Sequence, residues 1–504
     1  MPDAWEVFET RAINLVPMPK EIDLTEDTVR LGDGWGIAAG GESPSVRDLY
    51  SKSLSVPVQD RPRKIIFSRA DVPPEGYELE ICKERIEVRA SDDRGYVNAL
   101  RTMKQLANGD ELPTGRVRDR PSLSLRGFHV NFDSYVQMKA DDAKNLIKAA
   151  ANMKLNAILL EYGPRFPFRK HSAIRSPSAL TVEEVREVVG FAAENHVEVI
   201  PLQQSIGHLR YLLAHDDYED IREPPSDYYT VEGKPYALDQ VCPMNPRSFE
   251  VITDLMAEVI ELHPGSKFFH IGADEARQLG MCAKCRAEEA KKGKAGVYLN
   301  LVNRVCEWLH ERGRTPILWD DILCAHPEAL KDLNRNAWLM YWDYWTVSDP
   351  SPRVVARGTR SAGYDRRWLG EWLDELPARW LPSILEGARR AGGRSFEEEL
   401  GPKYLSYFKR YLGGGFPKYL RAFPYIEFYQ DNGFQVIAAP TAIGDGELWH
   451  GLPNFARFVP NIRAFARRCI ENGKVPGLIT TAWYNYPPEI LYLGLVATAK
   501  FTWE

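Results

Sequence analysis

The octapeptide Phe268-Phe269-His270-Ile271-Gly272-Ala273-Asp274-Glu275 contains an apolar run that ends in two adjacent carboxylates. The apolar run is typical of a buried strand. Burial of a carboxylate without a partner is unfavourable, so an Asp-Glu pair at the carboxyl end of such a strand indicates a functional site. An exposed turn with two solvated acids is the alternative for this dipeptide taken alone.

Strands and helices alternate on both sides of this stretch, from Leu125 to the end of the chain. Strands are predicted at Leu125–Asn131, Asn156–Tyr162, Val197–Gln203, Lys267–Ala273, Thr315–Trp319, Asn336–Trp342, Phe434–Ala439 and Gly477–Trp483. Helices are predicted at Asp141–Met153, Val182–Asn195, Ser248–Leu262 and Tyr298–Glu311. Eight such units predict an α/β fold, a (β/α)8 TIM barrel. A doubly wound open sheet is the alternative, but no Gly-rich phosphate loop follows an early strand.

The amino-terminal part has a different pattern. Gly76–Cys82 and Arg85–Ala90 alternate at period two, which predicts paired strands. Apolar residues in Arg94–Leu106 recur at helical spacing, and Leu112–Pro121 is rich in helix and strand breakers, which indicates a linker. We therefore predict a small α+β domain ahead of the barrel.

The predicted domain boundaries are residues 1–120 for the small domain and 121–504 for the barrel catalytic domain. The segment at about 348–432 does not fit the strand–helix repeat and predicts a largely helical insertion. The pattern leaves open whether this insertion walls the pocket or forms an oligomer contact.

Composition excludes several classes of function. The chain has 504 residues, of which 44% are apolar, and a net charge of −6 without any basic tract. These values argue against nucleic acid and anionic membrane surfaces as partners. We see no amino-terminal leader and no apolar run of the ~20 residues that span a bilayer. The seven cysteines favour a reducing compartment, so we expect a cytoplasmic protein.

Polar and aromatic residues follow most of the predicted strands. In barrels of this class the catalytic groups lie at the carboxyl ends of the strands. The residues there are Asn131, Asp133, Glu161, Tyr162, Gln203, Gln204, His208, Asp274, Glu275, Trp319, Asp320, Asp321, Tyr341, Trp342, Asp343, Trp483 and Tyr484. Aromatic rings stack on sugars and acids bind their hydroxyls, so the set predicts a carbohydrate site. Taken singly, each tryptophan could belong to the core, and His208 or Asp320-Asp321 could cap a helix.

The segment His270–Glu275 closely resembles the His-x-Gly-Gly/Ala-Asp-Glu signature of family-20 glycoside hydrolases, the β-N-acetylhexosaminidases. Leu15–Lys20 and Arg94–Leu106 resemble the small amino-terminal domain of that family, and Asp119–Gly127 resembles the junction into its barrel. Glu161–Phe168 is similar to the branch that contains hexosaminidase D. The resemblance covers nearly the whole chain.

This resemblance implies exo-hydrolysis of terminal non-reducing β-linked GlcNAc or GalNAc by a substrate-assisted retaining mechanism, without cofactor or catalytic metal. The 2-acetamido group of the substrate would be the nucleophile and form an oxazolinium ion. Glu275 would act as general acid and then as general base. Asp274 would orient the acetamido N–H and stabilise the developing positive charge. Adjacent carboxylates separate each other's pKa values, which would keep Glu275 protonated and Asp274 ionised near neutral pH.

The resemblance also implies roles for residues around the acid pair. Arg126 would bind the 3- and 4-hydroxyls of the terminal sugar, and His208 and His270 would support the carboxylates. The tryptophans Trp319, Trp342 and Trp483 would line the acetamido pocket. Glu161 and Tyr484 complete the predicted substrate-binding set. The partner would be a carbohydrate that ends in an N-acetylhexosamine.

The sequence departs from the family pattern at two places. A Tyr-x-Asp pair is not evident in Ala439–Asp445, and the acid usually found two residues after the last-strand tryptophan is Asn485. Tyr484, Tyr344 or Asp445 could substitute. These departures leave the preference for GlcNAc or GalNAc open. The sequence also does not determine the natural aglycone or the oligomeric state, for which a homodimer is one option.

Two further hypotheses remain beside the hexosaminidase. A retaining glycosidase with two carboxylates would use Glu161 as nucleophile against Glu275. A catalytically silent glycan-binding protein could share the scaffold, although it would not need a proton donor beside Asp274. Separately, Cys242 and the pair Cys282-Ala-Lys-Cys285 could hold a structural zinc, for which the sequence indicates no fourth ligand.

Overall fold

The computed structural model of the chain forms two compact units. The first comprises residues 1–126, 148–156 and 496–504, and the second comprises residues 127–147 and 157–495. The structure describes residues 15–32, 34–133, 137–224, 230–231, 234–235, 239–351, 353–356, 363–364, 396–416, 419–444, 453–483 and 488–504.

Among its described residues that precede the barrel, the first unit contains a six-stranded sheet and two helices. The strands are β1 (Glu21–Arg30), β2 (Trp35–Ile37), β3 (Arg63–Arg69), β4 (Tyr77–Ile81), β5 (Arg85–Ala90) and β6 (Glu111–Asp119). Their order across the sheet is β1-β6-β4-β5-β3-β2. The helices are α1 (Pro44–Leu54) and α2 (Asp93–Leu106). The predicted strand pair is present, since β4 and β5 are antiparallel with Leu79 opposite Val88.

The prediction of a linker at Leu112–Pro121 is wrong. Most of this segment is β6, which pairs with both β1 and β4. The β6 side chains of Leu112 and Val117 enter the core of the first unit. The residues Pro113 and Gly115 that suggested a break are accommodated inside the strand, and Gly115 has a φ of 140°. The first unit also takes in residues 148–156 and 496–504, which the sequence prediction assigned to the barrel.

The second unit contains a closed parallel barrel, as predicted. Its strands are β7 (Leu125–Asn131), β8 (Ala157–Glu161), β9 (Glu198–Leu202), β12 (Phe268–His270), β13 (Thr315–Trp319), β14 (Trp338–Trp342), β17 (Gln435–Ala439) and β19 (Gly477–Ala482). They pair in chain order, and the pairing of Ala438 with Leu478 joins β17 to β19. Five short strands lie outside this ring: β10 (Thr230–Val231), β11 (Lys234–Pro235), β15 (Arg353–Val354), β16 (Gly363–Tyr364) and β18 (Thr441–Ile443).

Helices follow most of the barrel strands. They are α3 (Ala140–Asn152), α4 (Val182–Glu194), α5 (Arg210–Leu213), α6 (Pro246–Leu262), α7 (Ala283–His310), α8 (Asp321–Ala325), α9 (Phe396–Phe408), α10 (Tyr425–Asp431), α11 (Phe455–Asn472) and α12 (Tyr492–Trp503). Local sequence explains their starts: Thr181 and Glu184 form a capping box on α4, and the Asn245 side chain caps α6. Within the described residues, none of the helices is long and apolar enough to cross a bilayer.

The predicted insertion at 348–432 is described only in part. Residues 357–362 and 365–395 lie outside the described residues. The described remainder includes α9 and α10, the second of which precedes β17. The helical insertion and its role stay predictions.

Candidate active site

A cavity of about 460 Å³ lies at the carboxyl ends of the barrel strands. It is lined by Asn131, Asp133, Glu161, Gly163, Leu202, Gln203, Gln204, His208, Tyr211, Asp239, Asp274, Glu275, Trp319, Trp342, Tyr344, Trp345 and Trp483. Seven of the predicted site residues are therefore brought together: Glu161, His208, Asp274, Glu275, Trp319, Trp342 and Trp483. The volume is within the range of small-molecule sites.

The backbone after β12 explains how two consecutive carboxylates reach one cavity. On an extended strand, neighbouring side chains point to opposite faces. Here Gly272, Ala273 and Glu275 have φ values of 63°, 67° and 48°. These left-handed conformations end the strand at His270 and redirect the chain, so Asp274 and Glu275 both line the cavity. Such conformations are unfavourable for residues other than glycine and cluster at functional sites.

Asp274 is paired with His208, as the sequence predicted for a residue that supports the acids. The His208 Nε2 atom lies 3.3 Å from Asp274 Oδ2. Burial opposes a charge on His208, but the charge of Asp274 and the hydrogen bond to it raise the His208 pKa to about 10. Burial likewise opposes the charge of Asp274, and His208 lowers the pKa of this carboxyl below its ordinary value. The two groups therefore form an imidazolium–carboxylate pair at neutral pH.

The other oxygen of Asp274 has no such partner. Asp274 Oδ1 is buried and accepts no hydrogen bond from the described residues. His270 lies in the preceding strand, where its Nδ1 accepts the Gly272 N–H at 3.0 Å. Burial lowers the His270 pKa to about 3, so this ring is neutral. The Asp274 side chain thus combines a fixed charge with one acceptor that is left for a ligand donor.

Glu275 occupies a more accessible position than Asp274. Its side chain is 30% exposed, against 10% for Asp274. One carboxylate oxygen pairs with Arg277, and the other lies 3.6 Å from His208 Nε2. The Glu275 backbone N–H donates to Asp321 Oδ2 at 2.9 Å, which fixes the turn that carries the acid. Glu275 is therefore placed where its carboxyl group can contact a ligand and exchange a proton.

Aromatic rings form one wall of the cavity. Trp319 and Trp483 have ring centroids 5.6 Å apart, and Trp342 stacks on Tyr344 at 5.0 Å. The Trp483 Nε1–H donates to the Tyr344 hydroxyl at 2.8 Å. Trp319 Nε1 is buried and has no acceptor among the described residues. The wall is mainly apolar and includes the Tyr344 hydroxyl, which Trp483 positions by this hydrogen bond.

Glu161 lies at the end of β8 among polar neighbours. Its Oε2 is 3.2 Å from His129 Nε2, and its Oε1 accepts from Gln204 at 3.5 Å. Burial, together with the charge of Glu161, raises the pKa of the neighbouring Asp133. Glu161 is thus held by residues of adjacent strands and lines the cavity.

Arg126 is not among the residues that line the cavity. It lies near the start of β7, whereas the site residue Asn131 lies at its end. The Arg126 guanidinium is 1% exposed and pairs with Glu75. Its Nε and Nη1 donate to the carbonyls of Lys154 and Leu123 at 3.0 and 2.8 Å. Arg126 thus packs within the first unit, and its predicted contact with sugar hydroxyls stays a prediction.

Besides Arg126, two further predicted residues are not among the described residues that line the cavity. His270 is buried beneath the site, with its ring 4.4 Å from that of Trp319, and does not line the cavity. Tyr484 lies outside the described residues, as do Asp445 and Asn485. Their roles stay predictions.

Sequence reasoning missed several lining residues that lie in the connections between barrel strands and their main helices. Tyr211 and Asp239 belong to the long connection after β9, and no motif marks either of them. Trp345 follows the aromatic run Tyr341–Tyr344, which was a usable signal. Tyr211 receives a hydrogen bond from Gln203 at 2.9 Å, so it is positioned by a residue that the sequence did indicate.

The three cysteines noted in the sequence also meet. Cys242, Cys282 and Cys285 form a group with Glu223 in which one ligand atom from each residue lies within 4.8 Å of the others. This group is separate from the residues that line the cavity. Glu223 is the fourth group that sequence reasoning did not find.

Comparison with known families gives two matches. The model for the catalytic domain of glycosyl hydrolase family 20 matches residues 126–362. The model for domain 2 of the same family matches residues 12–120. The predicted domain boundaries, 1–120 and 121–504, stay predictions, since the catalytic match ends at residue 362.

Similar proteins carry related names. Hexosaminidase D of Bos taurus is 31% identical over 244 residues, which cover 46% of this chain and 64% of the relative. A beta-hexosaminidase of Porphyromonas gingivalis is 22% identical over 365 residues, or 62% of this chain and 46% of the relative. The chain thus spans less than two thirds of the length of these relatives.

Solved structures share the fold. A beta-N-acetylhexosaminidase from Bacteroides fragilis superposes with a TM-score of 0.66 at 19% identity, covering 97% of this chain and 91% of that one. A variant beta-hexosaminidase of Streptomyces plicatus in complex with its product GlcNAc gives 0.63 at 17% identity, covering 97% and 90%. At these identities the likeness concerns the fold.

Proposed function

Because the chain belongs to glycosyl hydrolase family 20, we propose that it is an exo-β-N-acetylhexosaminidase. Its substrate would be a glycan with a terminal, non-reducing, β-linked GlcNAc or GalNAc. The reaction would be hydrolysis with retention, in which the substrate's own 2-acetamido group is the nucleophile.

One observation supports this proposal above the others. Asp274 carries a charge fixed by His208 on one oxygen, while its buried Oδ1 accepts nothing from the described residues. A buried carboxylate oxygen without a donor is unfavourable unless a ligand supplies one. The N–H of a 2-acetamido group is a donor of the required kind. This hydrogen bond would hold the acetamido carbonyl oxygen toward the anomeric carbon.

The reaction would then proceed in two steps. The acetamido carbonyl oxygen attacks C1 while the Glu275 carboxyl gives its proton to the glycosidic oxygen, and the C1–O bond to the aglycone breaks. The resulting oxazolinium ion carries positive charge, which the Asp274 carboxylate stabilises. Glu275, now ionised, takes a proton from water as the water oxygen bonds to C1. The bond between C1 and the acetamido oxygen breaks at the same time, which restores the 2-acetamido group on the released sugar.

The pairing of Glu275 with Arg277 bears on the first step. A general acid must hold a proton, whereas a neighbouring guanidinium favours the ionised form. We propose that the leaving group of the substrate displaces Arg277 from Glu275 on binding. After departure of the aglycone, Arg277 could return and stabilise the ionised base.

The aromatic wall would hold the acetamido methyl group. Trp319, Trp342 and Trp483 offer apolar faces, and the Tyr344 hydroxyl, already an acceptor from Trp483, could donate to the acetamido oxygen. Tyr344 would thereby replace the family tyrosine that the sequence lacks after β17. Glu161 and Asp133, which also line the cavity, would bind sugar hydroxyls.

The proposal is tested by hydrolysis of nitrophenyl β-GlcNAc and β-GalNAc with wild type, Asp274→Asn and Glu275→Gln. We expect activity on at least one sugar and a loss of several decades in both variants, each decade being about 1.4 kcal/mol of barrier. Asp320→Asn is not suitable as a control because Asp320 is buried and bonded to Tyr429. Asp216→Asn, whose side chain is fully exposed, is the matched control and should retain activity.

Inhibition and covalent trapping distinguish the substrate-assisted mechanism from the two-carboxylate mechanism. A thiazoline analogue of the oxazolinium ion should inhibit wild type strongly, because the enzyme stabilises that intermediate. Weak inhibition, together with a covalent glycosyl adduct on Glu161, would instead support the two-carboxylate glycosidase. A folded wild type that binds the sugars and hydrolyses neither would contradict the proposed activity.

A further inference from the structure

We propose that Glu223, Cys242, Cys282 and Cys285 bind one structural Zn²⁺ ion. The proposal concerns a site outside the cavity, and it does not depend on the proposed activity. Three thiols and a carboxylate are ligands that zinc accepts, and a structural zinc site is normally closed by four protein ligands. The sequence indicated only three ligands, and the fold supplies the fourth.

The distances between the ligand atoms fit a tetrahedral ion. Cys242 Sγ lies 3.5 Å from both Cys282 Sγ and Cys285 Sγ, and Cys285 Sγ lies 3.3 Å from Glu223 Oε2. Zn–S bonds of about 2.3 Å at tetrahedral angles place two sulfurs roughly 3.8 Å apart, and a sulfur and an oxygen roughly 3.5 Å apart. The three observed separations differ from these values by a few tenths of an ångström, and all four ligand atoms lie within 4.8 Å of one another.

The surroundings of Glu223 favour a cation. This residue is 1% exposed, and its Oε1 accepts the backbone N–H groups of Met281 and Cys282 at 2.8 and 2.7 Å. Among the described residues, no Lys, Arg or His nitrogen pairs with its carboxylate. A buried carboxylate without a countercharge is costly, and a divalent ion between the four ligands would supply that charge. The two N–H donors keep Oε2 directed at the thiols.

The two cysteines of the Cys-x-x-Cys stretch are arranged as a chelate. Cys282 is the N-cap of α7, and its Sγ accepts the Cys285 N–H at 3.3 Å. A backbone donor to sulfur stabilises a thiolate, and the start of a helix also favours negative charge. Cys242 approaches from another loop, where its backbone N–H bonds to Ile221 and its carbonyl accepts from Ser248.

The four ligands join two loops that also carry cavity residues. Glu223 and Cys242 belong to the connection after β9, which contains His208 and Asp239. Cys282 and Cys285 end the connection after β12, which contains Asp274 and Glu275. The ion would therefore fix the loop that carries the imidazolium relative to the loop that carries the acids.

Metal analysis of the full chain tests the proposal. We expect about one zinc per chain after purification without added zinc or chelator. Cys285→Ser should lose it, whereas Cys306→Ser, a buried cysteine on the same helix, should keep it. Less than about a tenth of an equivalent, both before and after incubation with ZnCl₂ and desalting, would overturn the proposal. Full zinc content in Cys285→Ser would overturn it as well.

Thiol chemistry tests the site in wild type, so the result does not depend on the folding of a variant. Stepwise addition of a mercurial should first modify the exposed Cys82 without release of zinc, and later additions should release it to a colorimetric indicator. Denatured, unreduced protein should contain seven thiols. Five thiols and no zinc would identify a disulfide within the group and exclude the metal.

Cobalt substitution reports the ligand set independently of activity. Co²⁺ at this site should show the intense visible bands of a tetrahedral ion and thiolate charge-transfer absorption. Glu223→Gln should bind the metal at least ten-fold more weakly in competition with a chelator, because the carboxylate charge is removed. An unchanged affinity in that variant would show that Glu223 does not bind the metal and would refute the four-ligand site.

Discussion

His208 Nε2 lies 3.3 Å from Asp274 Oδ2, although the two residues are on loops that follow different strands of the barrel. His208 has a φ of 55°, a conformation that is uncommon for a residue with a side chain. Backbone strain at His208, Ala273 and Glu275 thus accompanies the approach of the imidazole to the acids. The fold maintains one charge pair at the centre of the cavity at the expense of local backbone energy.

Replacement of His208 by glutamine should change the pH dependence of both stability and activity. The His208 pKa rises from 6.5 to about 10 on folding, so its contribution to stability is complete below 6.5 and is lost as pH rises through about 10. The Asp274 pKa is lowered, so its contribution is present above 3.8 and is lost at lower pH. His208→Gln should flatten the dependence of the unfolding free energy on pH between 6.5 and 10.

The same variant should be measured in a pH–rate profile. Without the imidazolium, the Asp274 pKa should rise, so the acid limb of kcat should move to higher pH, with a loss of about 10- to 100-fold at neutral pH. His215→Gln, at the start of a helical turn outside the cavity, is the matched control. An acid limb that stays in place in His208→Gln would contradict the pairing as the cause.

Removal of the Tyr344 hydroxyl tests the acetamido pocket. Tyr344→Phe keeps the ring that stacks on Trp342 but loses the acceptor for Trp483 Nε1–H. We expect kcat/KM for nitrophenyl β-GlcNAc to fall about ten-fold, or roughly 1.4 kcal/mol, since the partly buried Trp483 N–H loses its hydroxyl acceptor. Tyr407→Phe, on α9 and outside the cavity, should leave kcat/KM unchanged. Equal values for the two variants would exclude Tyr344 from the pocket.

Gly272→Ala should destabilise the turn that carries the acids. Gly272 has a φ of 63°, and an added Cβ would lie 1.8 Å from the Oε1 atom of the buried Gln204. We expect a loss of about 1–3 kcal/mol in the free energy of unfolding, together with reduced activity. Gly190→Ala, at an exposed and open position in α4, should instead stabilise by about 0.5–1 kcal/mol. Denaturant titration of both variants decides the prediction, and a neutral Gly272→Ala would contradict it.

Arg126→Met separates a packing role from a sugar-binding role. The variant removes the buried Arg126 guanidinium and leaves the Glu75 carboxylate, 10% exposed, with Arg94 as its remaining ion-pair partner. Removal of one member of a buried pair costs up to about 3–5 kcal/mol. The KM for either nitrophenyl sugar should stay within about two-fold of the wild-type value, a difference comparable to the error of such assays. Arg116→Met, which breaks an exposed pair with Glu80, should leave the free energy of unfolding nearly unchanged. A large rise in KM with unchanged stability would return Arg126 to the sugar site.

The pairing of Glu75 also has a pH consequence. Burial raises the pKa of Glu75, but the charge of Arg126 and the hydrogen bonds from Asn156 and Arg126 outweigh it and lower the pKa below 4.5. Its contribution to stability is therefore present above 4.5 and is lost as pH falls further. Arg126→Met should shift acid unfolding of the protein to higher pH.

Much of the barrel could be predicted because local pattern and tertiary structure agree. The strands at Leu125–Asn131 and Thr315–Trp319 have the predicted bounds, and nearly all of their residues are buried in the parallel sheet. The predicted strand Lys267–Ala273 is shorter, Phe268–His270, because Gly272 and Ala273 adopt positive φ. The local rule failed where the site needs an unusual backbone conformation.

The remaining differences arise from contacts between residues far apart in the chain. Arg126 belongs to the segment that resembles the family's junction into the barrel. Its partner Glu75 lies 51 residues away, and no sequence signal marks it. Glu223 likewise precedes Cys282 by 59 residues, with an ordinary loop sequence around it. Asp239 enters the cavity from the connection after β9. Such pairings depend on loop paths that periodicity does not encode.

The tryptophans of the cavity have an optical consequence. The rings of Trp319 and Trp483 are 5.6 Å apart and inclined by 54°, so their electronic transitions couple and give rise to paired bands of opposite sign in circular dichroism. His270 and His129 flank these rings at 4.4 and 5.0 Å and hold their orientation. The site thus contains its own chiroptical reporter, which responds to a molecule seated against the two indoles without any added label.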